Sequence, residues 1–133
     1  MSKVVKFGGS SLADAKQFRK VADIIHADPE RKYVVPSAPG KRFKEDTKVT
    51  DMLYRCYDEV AVQGKDFTEA FAPIRERYNG IISDLGLTLN LDEEFAKIGE
   101  NFKAAVGSDY AASRGEYLNG IVLANYLGFE FID

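Results

Sequence analysis

Apolar and polar positions along this chain repeat with two different periods, and the switches between them mark the elements. Residues 3–7, Lys-Val-Val-Lys-Phe, form a short β-rich run that ends at Gly8-Gly9 and reads as a strand. From Leu12 the spacing changes. Leu12, Phe18, Val21, Ala22 and Ile25 fall three and four apart on one face, which predicts a helix over 12–27 opened by Ser10 or Ser11 as its cap. Asp28-Pro29 stops that helix, and residues 32–35 read as a second strand. Strand, helix and strand in this order predict a βαβ unit, with parallel strands and a right-handed crossover.

A loop over 36–48 follows, containing Pro39-Gly40 and the basic residues Lys41, Arg42, Lys44 and Lys48. Its composition suggests a mobile lid. Four helical segments come next. Val49, Met52, Leu53, Cys56 and Val60 define the first, closed by Gly64. Asp66 with Glu69 reads as a capping box for the second, whose face is Phe67, Phe71, Ile74, Tyr78, Ile81, Ile82 and Leu85, ending at Gly86. Leu91, Phe95, Ile98, Phe102 and Ala105 make the third; Tyr117, Leu118, Ile121, Val122 and Leu127 make the fourth, ending at Gly128. Residues 129–132 read as a third strand. Three strands are few for so much helical surface, so the expectation is the first part of a longer α/β domain.

Composition narrows the function classes. With 133 residues, 45% hydrophobic and 29% charged, the chain fits one ordinary soluble domain. A net charge of -3 argues against nucleic-acid binding through a broad basic face. No apolar run is long enough for a membrane span, and the first residues lack a secretory core, so a cytoplasmic location is the default. One cysteine, Cys56, excludes an internal disulfide, and with the single His26 it argues against a His/Cys metal site. Cys56 lies on an apolar helical face and is read as packing; His26 is read as solvated.

The candidate chemistry begins at Lys6-Phe7-Gly8-Gly9-Ser10-Ser11. Glycines let a ligand approach backbone amides, a following helix start favours an anion, and Lys6 adds a full charge. The same residues also suit a plain strand-to-helix turn. Neither GxxxxGK[ST] nor GxGxxG is present. Ser37 lies past the carboxyl end of the second strand, where open α/β sheets bind ligands. Thr50, at a helix start, suits either a cap or a ligand contact. Ser113-Arg114-Gly115-Glu116 also reads as a helix start, which makes Glu116 either a first-turn acid or a carboxylate directed into a site. Each is weak alone; together they surround one crevice.

In order and spacing, Lys6 to Ser11, Val-Pro-Ser-Ala-Pro-Gly at 35–40, Val-Thr-Asp at 49–51 and Ser113-Arg114-Gly115-Glu116 resemble the amino-terminal half of the aspartokinases, of the amino acid kinase family. The resemblance implies an α/β fold, an incomplete αβα sandwich with a mostly parallel sheet and a helical insertion. It implies transfer of the ATP γ-phosphate, as Mg-ATP, to the β-carboxylate of L-aspartate, the entry to lysine, threonine and methionine. It also implies a homo-oligomeric parent enzyme.

By the same resemblance Lys6, Phe7, Gly8, Gly9 and Ser10 hold the ATP phosphates, with Lys6 catalytic. Ser37, Thr50 and Glu116 hold aspartate, Glu116 facing its ammonium. No metal ligand is identified. Residues 41–47 depart from relatives with a shorter loop, and Gly107-Ser108-Asp109 imitates the family's Gly-Gly-Ser-Asp motif but precedes Ser113-Arg114-Gly115-Glu116 instead of following it. That motif, the nucleotide-base pocket and the regulatory domains are missing, so these residues alone are expected to have little kinase activity. The alternatives are a non-catalytic amino-acid or anion binding module of this fold, or another amino acid kinase acting on glutamate or a nucleoside monophosphate.

Overall fold

The computed structural model describes residues 2–132. Strand β1 (Lys3–Phe7) pairs in parallel with β2 (Arg31–Pro36), and helix α1 (Ala15–His26) makes the crossover between them. Lys6 lies opposite Val35 and Phe7 opposite Pro36, with one register shift between Lys3 and Val4. Both strands therefore deliver their carboxyl ends, Gly8 and Ser37, to the same edge.

Helices α2 (Val49–Tyr57), α3 (Phe67–Asp84), α4 (Asp92–Lys103) and α5 (Ser108–Leu127) follow. A π-helical turn, Asp58–Val62, extends α2 and keeps Val60 in the core. The predicted faces are the buried ones: Val49, Leu53 and Cys56 on α2; Phe71, Ile74, Tyr78 and Ile81 on α3; Phe95, Ile98 and Phe102 on α4. The expected cap of α3 is present, with the Asp66 carboxylate accepting from Glu69 N–H at 3.1 Å. Aromatic rings knit the helices. Phe67 stacks on Phe71 at 4.8 Å, and Phe102 meets both Tyr57 and Phe67 edge-on at 5.2 and 5.8 Å.

Three expectations change. First, α1 begins at Ala15, capped by Asp14, whose side chain accepts from Gln17 N–H at 3.0 Å; residues Gly9–Leu12 form a separate 3-10 turn. Second, α5 begins at Ser108, so Ser113 to Glu116 lie inside the helix, and Gly107-Ser108-Asp109 is simply its start. Third, residues 129–132 join no strand ladder among the described residues. A groove of about 780 Å³ lies between them, β2 and α5, and Phe131 packs on Tyr117 instead, ring centroids 5.5 Å apart.

Phe102 is fully buried at the junction of α2, α3 and α4. Phe102→Ala is expected to lower unfolding free energy by about 3–5 kcal/mol in urea denaturation followed by circular dichroism. A loss below about 1 kcal/mol would show that this aromatic junction does not hold the helices together.

Candidate active site

The glycine turn is built by the end of β1. The Phe7 carbonyl accepts from Ser37 N–H at 3.0 Å, Gly8 stays extended, and the chain then tightens into the 3-10 turn. Within that turn the Ser11 N–H already bonds back to the Gly8 carbonyl at 3.1 Å. The amides of Gly9 and Ser10 precede it and are not used by the turn itself. Lys6 is exposed and forms no ion pair among the described residues. Because α1 starts at Ala15, its dipole is not directed from Gly9. Affinity for an anion here rests on the local amides and the lysine charge.

Gly40 crosses directly over this turn. Its N–H donates to the Gly9 carbonyl at 2.8 Å, and a Cβ on Gly40 would lie 2.6 Å from Gly9 C and 2.8 Å from Ser10 N. Only glycine allows backbone to approach backbone this closely. Ala38, Pro39 and Gly40 are buried as a result, and the Pro39 carbonyl accepts from Val49 N–H at 3.1 Å. The expectation of a free lid over 36–48 is therefore corrected: its first part is bound to the turn and to α2, while Lys41 to Glu45 are exposed.

The far part of the loop is folded on itself. Asp46 takes Arg42 Nε at 2.7 Å, Arg42 Nη2 at 3.0 Å and the Arg42 amide at 3.0 Å. The Arg42 hydrogen bond, above all, holds the Asp46 carboxyl well below the usual carboxylate range.

Helices α2 and α5 form the opposite wall. Gly115 is buried, and a Cβ there would sit 2.7 Å from Ala38 Cβ and 3.2 Å from Leu53 Cδ1. This close approach seats the middle of α5 against the residue after Ser37 and against the helix that carries Thr50. Thr50 is the second residue of α2, half-buried; the cap position belongs to Lys48, so Thr50 is not the cap. Glu116 is exposed beside Gly115 and, being mid-helix, is not stabilised as a first-turn acid. Arg114 turns away onto the rings of Tyr110 and Tyr117, 4.7 and 4.4 Å from their centroids.

Two residues that the sequence reading missed hold these parts in place. Asn119 is fully buried, donates from Nδ2 to the Ser37 carbonyl at 2.7 Å, and leaves Oδ1 without a partner among the described residues. Its position one turn after Glu116 is the only signal the sequence held. Arg77 is buried on α3 and donates to the carbonyls of Ala13, Gly40 and Thr47. The neighbouring Tyr78 hydroxyl donates to the Gly115 carbonyl at 2.8 Å.

Among the described residues no group of three acidic, His or Cys side chains is placed to hold a metal, and no helix is long and apolar enough to cross a membrane. Cys56 is buried, and desolvation pushes its thiol up to about 12, as a packing residue requires.

Comparison with known proteins bears on the fold. The amino acid kinase family matches residues 1–129. Aspartokinase 3 of Bacillus subtilis is 39% identical over 96% of this chain, which spans 29% of that relative. The crystal structure of Clostridium acetobutylicum aspartate kinase superposes with a TM-score of 0.91 at 52% identity, over 98% of this chain and 30% of that one. Escherichia coli aspartokinase III, solved with aspartate and ADP, shares the fold at a TM-score of 0.72 and 24% identity, over 96% of this chain and 29% of that one. The chain thus spans about a third or less of these proteins.

Two outcomes follow from the loop geometry. Gly40→Ala is expected to destabilise the protein by about 1–3 kcal/mol, because its methyl group meets backbone that cannot rotate aside; an unchanged urea midpoint would contradict the crossing. Asp46 has a lowered folded-state pKa, so its contribution to stability is complete above the unfolded value of about 4 and is lost as pH falls below it. Asp46→Asn should accordingly flatten the fall in stability between about pH 4 and pH 2. Parallel slopes for variant and wild type would exclude the Arg42 clamp as its source.

Proposed function

Because the chain belongs to the amino acid kinase family, we propose that it carries the phosphate turn and the acceptor wall of an aspartate kinase, which transfers the ATP γ-phosphate to the β-carboxylate of L-aspartate to give 4-phospho-L-aspartate. The observation that supports this reading is the Gly9–Gly40 crossing, which sets an anion-suited turn beside the segment bearing Ser37 and, through Ala38 and Gly115, beside Thr50 and Glu116. The names of the Bacillus and Clostridium relatives support the choice of aspartate.

The residues suit the chemistry. A β-carboxylate is ionised at neutral pH, so no general base is required. The obstacle is the approach of one anion to another, and positioning with charge neutralisation carries such transfers. ATP, bound with magnesium, supplies the transferable phosphoryl group. In this reading the free amides of Gly9 and Ser10, with Lys6, hold its phosphates; Phe7 and Gly8 shape the approach. Lys6 then offsets the charge that gathers on the transferring oxygens. Ser37 and Thr50 orient aspartate through their hydroxyls, and Glu116 pairs with its ammonium.

The same reading makes residues 1–133 the amino-terminal portion of an amino acid kinase domain in a cytoplasmic, homo-oligomeric enzyme, with the nucleotide base and the regulatory domains served by other residues. Val4, Tyr33 and Val35 leave the strand pair with an exposed apolar face, which further strands and helices of such a domain would cover.

The test is a chimera in which this chain replaces the matching residues of Bacillus subtilis aspartokinase 3, with aspartyl phosphate trapped by hydroxylamine. Lys6→Met is expected to lower kcat by about 10²–10³-fold. Glu116→Gln is expected to raise KM for aspartate by about 10- to 100-fold, the loss of a charge-assisted hydrogen bond. Full activity in both variants would end the assignment. The isolated chain should form little aspartyl phosphate, and its calorimetric titration with aspartate should weaken in Glu116→Ala.

A further inference from the structure

We propose that Arg77 is a positioning residue for this site: its buried guanidinium locks the 37–48 loop onto the phosphate turn and so sets the distance between donor and acceptor. The inference rests on the kinase reading above for the function of that distance, and on the geometry alone for the lock.

Arg77 is 5% exposed, in the middle of α3. Burying a cation costs free energy unless its donors are used. Here they are used on the end of the 3-10 turn and on both parts of the loop. Nε and Nη2 donate to the Ala13 carbonyl at 3.2 and 2.9 Å, just past the glycine turn. Nη2 also donates to the Gly40 carbonyl, at the crossing, and Nη1 reaches the Thr47 carbonyl at 3.4 Å, just before the start of α2. Asp46 lies 3.6 Å from Nη1 and offsets the charge, while its carboxylate also grips Arg42. None of the three carbonyls belongs to a residue assigned to the ligand. Each lies on a segment that carries one: the turn, the Ser37 loop and the approach to Thr50.

The planar fork explains the residue type. A guanidinium has five donors in fixed directions and bridges several acceptors at once, whereas a lysine ammonium on a flexible stem acts as a point charge. Since Tyr78 beside it holds the Gly115 carbonyl, one turn of α3 grips the turn, the loop and α5 together.

Two measurements test this. Lys41, Arg42, Lys44 and Lys48 make the loop a trypsin substrate once it is released. Loop cleavage in Arg77→Met is expected to be at least about tenfold faster than in Phe102→Ala, which loses stability away from the loop and so gauges the effect of instability alone. In the chimera, Arg77→Lys and Arg77→Met are expected to lower kcat by about 10- to 100-fold while remaining folded at the assay temperature, because a small misplacement of reacting groups is enough. A lysine that restores stability without restoring kcat separates positioning from packing. Cleavage in Arg77→Met no faster than in Phe102→Ala overturns the lock, whether or not the chain binds aspartate. Unchanged kcat in folded Arg77 variants overturns its role in positioning. An inactive wild-type chimera counts against the kinase reading, and loop cleavage still decides the lock.

Discussion

Everything in the site depends on one close approach, the backbone of Gly40 lying across the backbone of Gly9. Two turns can pack at this distance only without side chains between them, and a single hydrogen bond from Gly40 N–H to the Gly9 carbonyl joins them. The crossing does two things at once. It occupies the carbonyl side of the glycine turn, leaving the Gly9 and Ser10 amides to other acceptors, and it draws the loop after β2 inward so that Ala38 becomes part of the core.

From that point the contacts propagate by packing. Ala38 meets Gly115, which brings α5 close, and Gly115 also touches Leu53 of α2. Two helices and the strand ends are thereby fixed within one small volume. Polar groups buried by this arrangement then need partners. Arg77 and Asn119 donate to loop carbonyls outside the regular elements, and the Tyr78 hydroxyl donates to the Gly115 carbonyl within α5. Carbonyls in such irregular segments can be buried only when donors reach them, so the irregular site requires a regular α3 behind it.

The basic loop illustrates how charge and structure divide. Its lysines face solvent, yet Arg42 and Asp46 form a closed pair and Arg77 stands behind them. The segment is held at both ends by backbone hydrogen bonds and open only at its tip. Composition alone suggested motion because it counts charges; it does not record that Gly40 and Thr47 give their carbonyls to a buried arginine.

The sequence by itself determined the strand pair, the helices and their buried faces, because periodicity and burial are two views of the same helical geometry. It also singled out Lys6, Gly8, Gly9, Ser10, Ser37, Thr50 and Glu116, the residues on which the proposed site rests, through a motif pattern legible without coordinates. Only the tertiary structure decided where helices start when two start signals compete. Ser10 and Ser11 yielded to Asp14 because the 3-10 turn takes up the residues after Gly9, and α5 starts more than a turn before Ser113, at Ser108. Strand pairing was equally undecidable, since residues 129–132 have strand character yet join no ladder among the described residues. Arg77 and Asn119 were invisible for a related reason. Their partners are main-chain carbonyls far away in sequence, which have no residue identity to read, and only folding brings them within reach of the donors.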